Sequence, residues 1–125
     1  MLWIAVAVGG GIGAVARHAV NHVFNLRVGA TFPAGIFFVN AVGCLTIGVL
    51  AGLIASTRLH LGEVGGTFVF VGILGGFTTL SSYGLDTYTL FRGGHAGLGL
   101  LNALGQMVVG LTAVWLGFAI GDWRP

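Results

Sequence analysis

The stretch "VGGTFVFVGILGGFTTLSSYGL", residues 64–85, decides the fold. It contains no Asp, Glu, Lys or Arg and is long enough to cross a bilayer as one helix, which takes about 20 apolar residues. Its middle nonetheless gathers Gly75, Gly76, Thr78, Thr79, Ser81 and Ser82. Each glycine in a helix interior costs roughly 1 kcal/mol against alanine, so the segment weakens itself at its own centre. The run's midpoint falls at residues 74–75, which predicts a helix broken near the bilayer midplane.

Outside this stretch, residues 1–16, 28–57 and 93–121 are also free of charge. The pattern predicts an all-α membrane protein, one four-helix transmembrane domain over residues 1–125, with spans near 2–24, 33–56, 63–90 and 96–121. The opening "MLWIAVAVGG" has no basic region before its apolar run and reads as the first span, not a cleaved signal. Composition agrees: 56% of residues are hydrophobic, 6% are charged, and the mean hydropathy is +1.01. A soluble domain carries roughly a quarter charged residues, so a water-facing surface is excluded. The five arginines raise the pI to 9.3 but are scattered, which excludes a nucleic-acid footprint. Cys44 is the only cysteine, so no disulfide forms within one chain.

Charge also bears on orientation. With four spans, Arg58 and Arg124 share a side with Glu63 and Asp122. Arg27 and Arg92 lie opposite with Asp86, joined by Arg17 if its side chain reaches that way. A fixed topology shows a clear Lys/Arg excess on the cytoplasmic side, and none exists here. Two readings stand level. Copies insert both ways and pair antiparallel, or a small, weakly charged protein inserts one way regardless.

The chain holds 24 glycines, many at four-residue spacing: Gly9/Gly13, Gly48/Gly52, Gly62/Gly66, Gly72/Gly76, Gly93/Gly97 and Gly117/Gly121. That spacing puts a shallow groove on one helix face and lets backbones approach in lipid, where apolar burial supplies little drive. A tight bundle and an oligomer follow. No internal repeat is visible, so any two-fold symmetry needs a second chain. The spacing Gly9-x-Gly11-x-x-Ala14 matches a dinucleotide fingerprint, but the first acidic residue is Glu63, too far on to hold a ribose. These glycines read as packing.

Few polar residues enter the spans. Arg17 either snorkels to the headgroups or faces a watery vestibule where its charge concentrates anions. Asn40 is either interhelical glue or a donor to an anion. Asn102 and Gln106 share one face of the fourth span at i,i+4, as a polar track or a second pair of glue residues. Three amides without a carboxylate in the charge-free cores favour an anion over a cation or proton. At the break, unwound carbonyls are hard ligands for an alkali cation; the alternative is a kinked helix with a Gly–Ser packing face. The histidines at 18, 22, 60 and 95 lie near span ends, and no nucleophile–base pair or metal-ligand cluster argues for an enzyme.

The motifs "GGGIGAVARHAV" (9–20), "AGIFFVNAVGC" (34–44) and "GILGGFTTLSSYG" (72–84) resemble, in order and spacing, the signatures of the Fluc (CrcB) fluoride channels. The resemblance covers essentially the whole chain. It implies an antiparallel, dual-topology homodimer in a bacterial inner membrane that exports fluoride passively through two pores. It also implies a structural Na+ on the two-fold axis, held by backbone carbonyls that map to Gly75 and Thr78. Arg17 maps to a vestibule and Asn40 to the pore lining, and Ser81 and Ser82 match polar positions after the break. The family's "TTFSTF" pattern places two phenylalanines along the ion path, whose positive ring edges coordinate the anion. Here those positions are Leu80 and Tyr83. Gln106 stands where small hydroxyl residues are frequent.

The expected function is therefore a fluoride channel. A non-conducting or weakly conducting subunit of a heteromeric channel is the alternative that Leu80 and Tyr83 raise. A proton-coupled multidrug carrier needs a carboxylate within the membrane; Glu63 and Asp86 lie at span ends, against it.

Overall fold

A computed structural model of the chain describes residues 1–29 and 31–124. Four helical spans are each long and apolar enough to cross a membrane: Leu2–Val28, Ala34–Ala55, Glu63–Arg92 and Ala96–Asp122. We label the first two α1 and α2 and the last α5. The third span divides into α3, residues 63–77, and α4, Leu80–Arg92. Within α3 the middle stretch Thr67–Leu74 is π-helical, a widening of the ladder to i→i−5 that is frequent at functional sites. The sequence spans agree with these bounds to within a few residues. The largest difference is α1, which continues to Val28 because nothing stops it before Gly29, whose φ of 87° ends the helix.

Two glycine seams bring the helices together. On the first, α1 lies against α3: a Cβ on Gly9 would come within 3.0 Å of Gly72 Cα, and one on Gly13 within 2.7 Å of Phe77 N. Gly76 packs reciprocally on the backbone of Gly10. On the second seam, α2 lies against α5. A Cβ on Gly48 would overlap the Val114 carbonyl, one on Gly52 would reach Asp122 N at 2.7 Å, and Gly117 and Gly121 meet α2 in the same way. Rings cover two more glycines: Phe91 lies over Gly99 and Phe37 over Gly105. Among the spaced pairs, Gly62/Gly66 and Gly97 face nothing within 4 Å, so that part of the pattern does not pack within this chain.

The turn after α2 is a Schellman motif. Arg58 N–H donates to the Leu53 carbonyl at 3.0 Å and Thr57 N–H to that of Ile54 at 3.0 Å, with Thr57 at φ 61°. It aims Arg58 at the far end of α5. The Arg58 guanidinium and Ser56 Oγ (3.2 Å) both donate to the Gly121 carbonyl, closing an orphan acceptor at a helix C-terminus.

The seams set a test. Gly48→Val forces a branched side chain into the Val114 backbone and is expected to destabilise the bundle by about 1–3 kcal/mol, read as an earlier thermal transition in detergent. Gly97→Ala, with open space at its Cβ, is expected to leave the transition unchanged or raise it slightly.

Candidate functional site

Helical hydrogen bonding stops at Phe77 and resumes at Leu80. Between them Thr78 (φ −82°, ψ 159°) and Thr79 (φ −154°, ψ 119°) are extended, a conformation that β-branched residues favour. The glycines before them stay helical; Gly75 has φ −63° and ψ −38°. Two extended residues release backbone donors and acceptors, and side chains of α1 and α2 take up three of them.

Asn40, on α2, meets Thr79 with both ends of its amide. Thr79 N–H donates to Asn40 Oδ1 at 2.9 Å, and Asn40 Nδ2 donates to the Thr79 carbonyl at 3.1 Å. Arg17, on α1, donates from Nη1 to the Thr78 carbonyl at 3.0 Å. Thr79 Oγ1 caps α4 by accepting from Ser82 N–H at 3.2 Å, and Thr78 Oγ1 returns to the Leu74 carbonyl at 2.9 Å. The seams make this possible: Gly13 brings α1 onto Phe77, and Thr78 Cγ2 sits directly over Gly43 of α2.

The three amides join in one chain. The second N–H of Asn40 Nδ2 goes to Gln106 Oε1 at 2.7 Å, Gln106 Nε2 to Asn102 Oδ1 at 2.9 Å, and Asn102 Nδ2 to Thr87 Oγ1 at 2.8 Å. Thr87 Oγ1 then donates to the Tyr83 carbonyl at 2.7 Å. Every link donates in the same direction, from the break through α5 to α4. Asn102 is fully buried and acts as glue; Asn40 and Gln106 are partly buried.

Asn40 and Gln106 open onto a cleft of about 470 Å³, whose wall also includes Gly75, Thr78, Thr79 and Tyr83. Leu80 lines it too and is 80% exposed; Ser81 is exposed and Ser82 partly buried beside it. Tyr83 spends its hydroxyl on the Ala103 carbonyl of α5 at 3.1 Å, so its O–H is not free for a ligand. Arg17 turns into the bundle onto the break, where snorkelling would have taken it to the headgroups. Among the described residues no carboxylate lies within ion-pair distance of it. An uncompensated cation at the break attracts anions.

Several wall and network residues escaped the sequence reading: Cys44, Ile47, Phe70 and Met107 line the cleft, and Thr87 is the partner that satisfies Asn102. The π-helical stretch shifts the register that would have placed Phe70, and Thr87 was hidden by its distance from the break motif. The carbonyl site expected at Gly75 and Thr78 can be judged from the same hydrogen bonds. Thr79 N–H, which would close the next turn onto the Gly75 carbonyl, goes to Asn40, leaving that oxygen without its helical partner. The Thr78 carbonyl accepts from Arg17 and keeps a second lone pair. One chain thus brings two backbone oxygens and no carboxylate, with the Arg17 guanidinium already on one of them.

Replacing Asn102 tests the amide chain. Asn102→Leu leaves the Thr87 hydroxyl without a donor and Gln106 Nε2 without an acceptor. A loss of about 1–3 kcal/mol is expected, measured by thermal unfolding in detergent; an unchanged transition would show that the chain contributes nothing.

The family model described as "CrcB-like protein, Camphor Resistance (CrcB)" matches residues 4–118. A protein of Opitutus terrae named "Fluoride-specific ion channel FluC" is 44% identical over 117 residues, 93% of this chain and 89% of the relative. A namesake from Novosphingobium aromaticivorans is 45% identical over 123 residues, covering 92% and 91%. "Fluoride-specific ion channel FluC 2" of Nitrobacter hamburgensis is 39% identical, covering 96% of each chain. A match across nearly all of both partners, with four apolar spans and the Asn40–Thr79 contact falling inside it, assigns the chain to the CrcB family.

Proposed function

We propose that this chain forms a fluoride-selective channel that lets fluoride leave the cytoplasm passively across a bacterial inner membrane. The observation that carries the reading is near-full-length similarity to several proteins named fluoride-specific ion channels. The site chemistry supports it. Fluoride holds its water tightly, so a path must offer replacement donors and no fixed negative charge. Arg17 supplies an uncompensated positive charge. Asn40, Ser81 and Ser82 supply N–H and O–H groups on or beside the cleft. Among the described residues no three His, Cys, Asp or Glu side chains gather.

In this reading the interruption at Thr78–Thr79 is a break near the bilayer midplane, and two copies pair antiparallel around it. Arg17 is engaged within the bundle and drops out of the topology count, leaving Arg27 and Arg92 against Arg58 and Arg124. That balance supports insertion in both orientations. Gly75 and Thr78 carbonyls from two copies would hold a structural Na+, whose charge offsets the gathered backbone oxygens. A second copy also covers the exposed Leu80 side of the cleft.

The alternative, a weakly conducting subunit completed by a different family member, draws on Leu80 and Tyr83. Leu80 has no ring edge to offer, and Tyr83 is tied to Ala103. One experiment addresses both. Proteoliposomes of the purified chain, loaded with fluoride or chloride, are expected to release fluoride and retain chloride. Leu80→Phe with Tyr83→Phe is expected to speed the release. Fluoride retained by the wild type across several lipid compositions, but released by the double variant, would favour the heteromeric reading. Retention by both would count against a channel.

A further inference from the structure

The contacts around Asn40 divide into fixed and movable ones. Its pairing with Thr79 is bidentate, on backbone atoms of the break, and by itself fixes the amide plane. One N–H is left over, and Gln106 Oε1 takes it at 2.7 Å. Gln106 reaches across from a different helix, is only partly buried, and forms part of the cleft wall. Of the two acceptors on Asn40 Nδ2, only this one belongs to a side chain, and its rotation also releases the Gln106–Asn102 bond.

We propose that Gln106 is a side-chain plug. Its Oε1 occupies the Asn40 N–H on the cleft side, so an anion entering the cleft reaches that donor only by displacing it. The inference rests on the channel reading for the identity of the anion. A hydrogen bond to an anion is roughly twice as strong as one between neutral amides, which offsets the Gln106 bonds to Asn40 and Asn102 that displacement breaks. The Asn102–Gln106 bond at 2.9 Å holds the plug in register while Asn102 stays locked to Thr87. Gln106 is thus a positioning residue acting through Asn40. The simpler reading, interhelical glue, predicts that removing Gln106 lowers stability and leaves anion dependence alone. A plug predicts that removal makes the donor easier to reach.

The two readings separate on the concentration dependence of flux. Gln106→Ala, reconstituted in liposomes beside the wild type, is expected to reach half-maximal fluoride efflux at about fivefold lower fluoride, the factor one neutral hydrogen bond is worth. Its maximal rate is expected not to fall. Where the alanine variant does not fold, Gln106→Ser, whose hydroxyl is too short to span to Asn40, serves in its place. Gln106→Glu keeps an acceptor on Asn40 and adds negative charge, and is expected to depress efflux. Asparagine-labelled protein in detergent gives a readout independent of conduction. The Asn40 side-chain amide resonances are expected to shift at lower sodium fluoride in Gln106→Ala than in the wild type. A folded Gln106→Ala with wild-type half-saturation and a wild-type titration overturns the plug. If the wild type passes no fluoride, the channel reading fails on that arm alone, and the resonance titration still decides the plug.

Discussion

Everything in this fold turns on two residues that leave the helix inside a span long and apolar enough to cross a membrane. In a hydrocarbon layer each unpaired N–H or C=O costs several kcal/mol, so an extended Thr78–Thr79 survives only if side chains replace the lost ladder. Asn40 meets both polar groups of Thr79, Arg17 meets the Thr78 carbonyl, and Thr79's own hydroxyl restarts α4. Those replacements come from α1, α2 and the break itself. The interruption therefore depends on α1 and α2 converging on it.

The glycine seams follow from that requirement. An asparagine side chain is short, and it reaches backbone only if helices approach more closely than ordinary side chains allow. Gly43 admits Thr78 directly over α2, Gly13 and Gly76 bring α1 onto α3, and Gly48, Gly52, Gly117 and Gly121 lock α2 to α5. The second seam holds Asn40 within reach of Gln106. Packing and polar chemistry are thus one device: the same close approach that binds the helices also satisfies the break and positions donors at the cleft.

Much of this was legible in the amino acids. Charge-free runs located the four spans, and four of the six spaced glycine pairs are the seams. The polar residues that matter, Arg17, Asn40, Thr78, Asn102 and Gln106, stood out because they interrupt apolar sequence. What the chain did not disclose was how they pair. Gly75 and Gly76 suggested unwinding at the glycines, yet Gly75 stays helical and Gly76 lies against Gly10, while the threonines extend. Small size there serves close approach, and β-branching tolerates the extended backbone. The Arg17 contact spans 61 positions and the Asn40–Gln106 contact 66. Pairings so distant depend on the register of two seams at once, and the π-helical turns of α3 shift that register in a way no periodicity announces.

Hydrogen exchange at a single amide reports on the Asn40–Thr79 contact itself. Among the described residues Thr79 N–H meets Asn40 Oδ1 and no backbone acceptor. The account predicts that it is protected in the wild type to the level of neighbouring helical amides. In Asn40→Leu that protection collapses, while amides along the α2–α5 seam keep theirs. A Thr79 amide that exchanges as freely as an exposed turn in the wild type, or one that keeps its protection without Asn40, would contradict it.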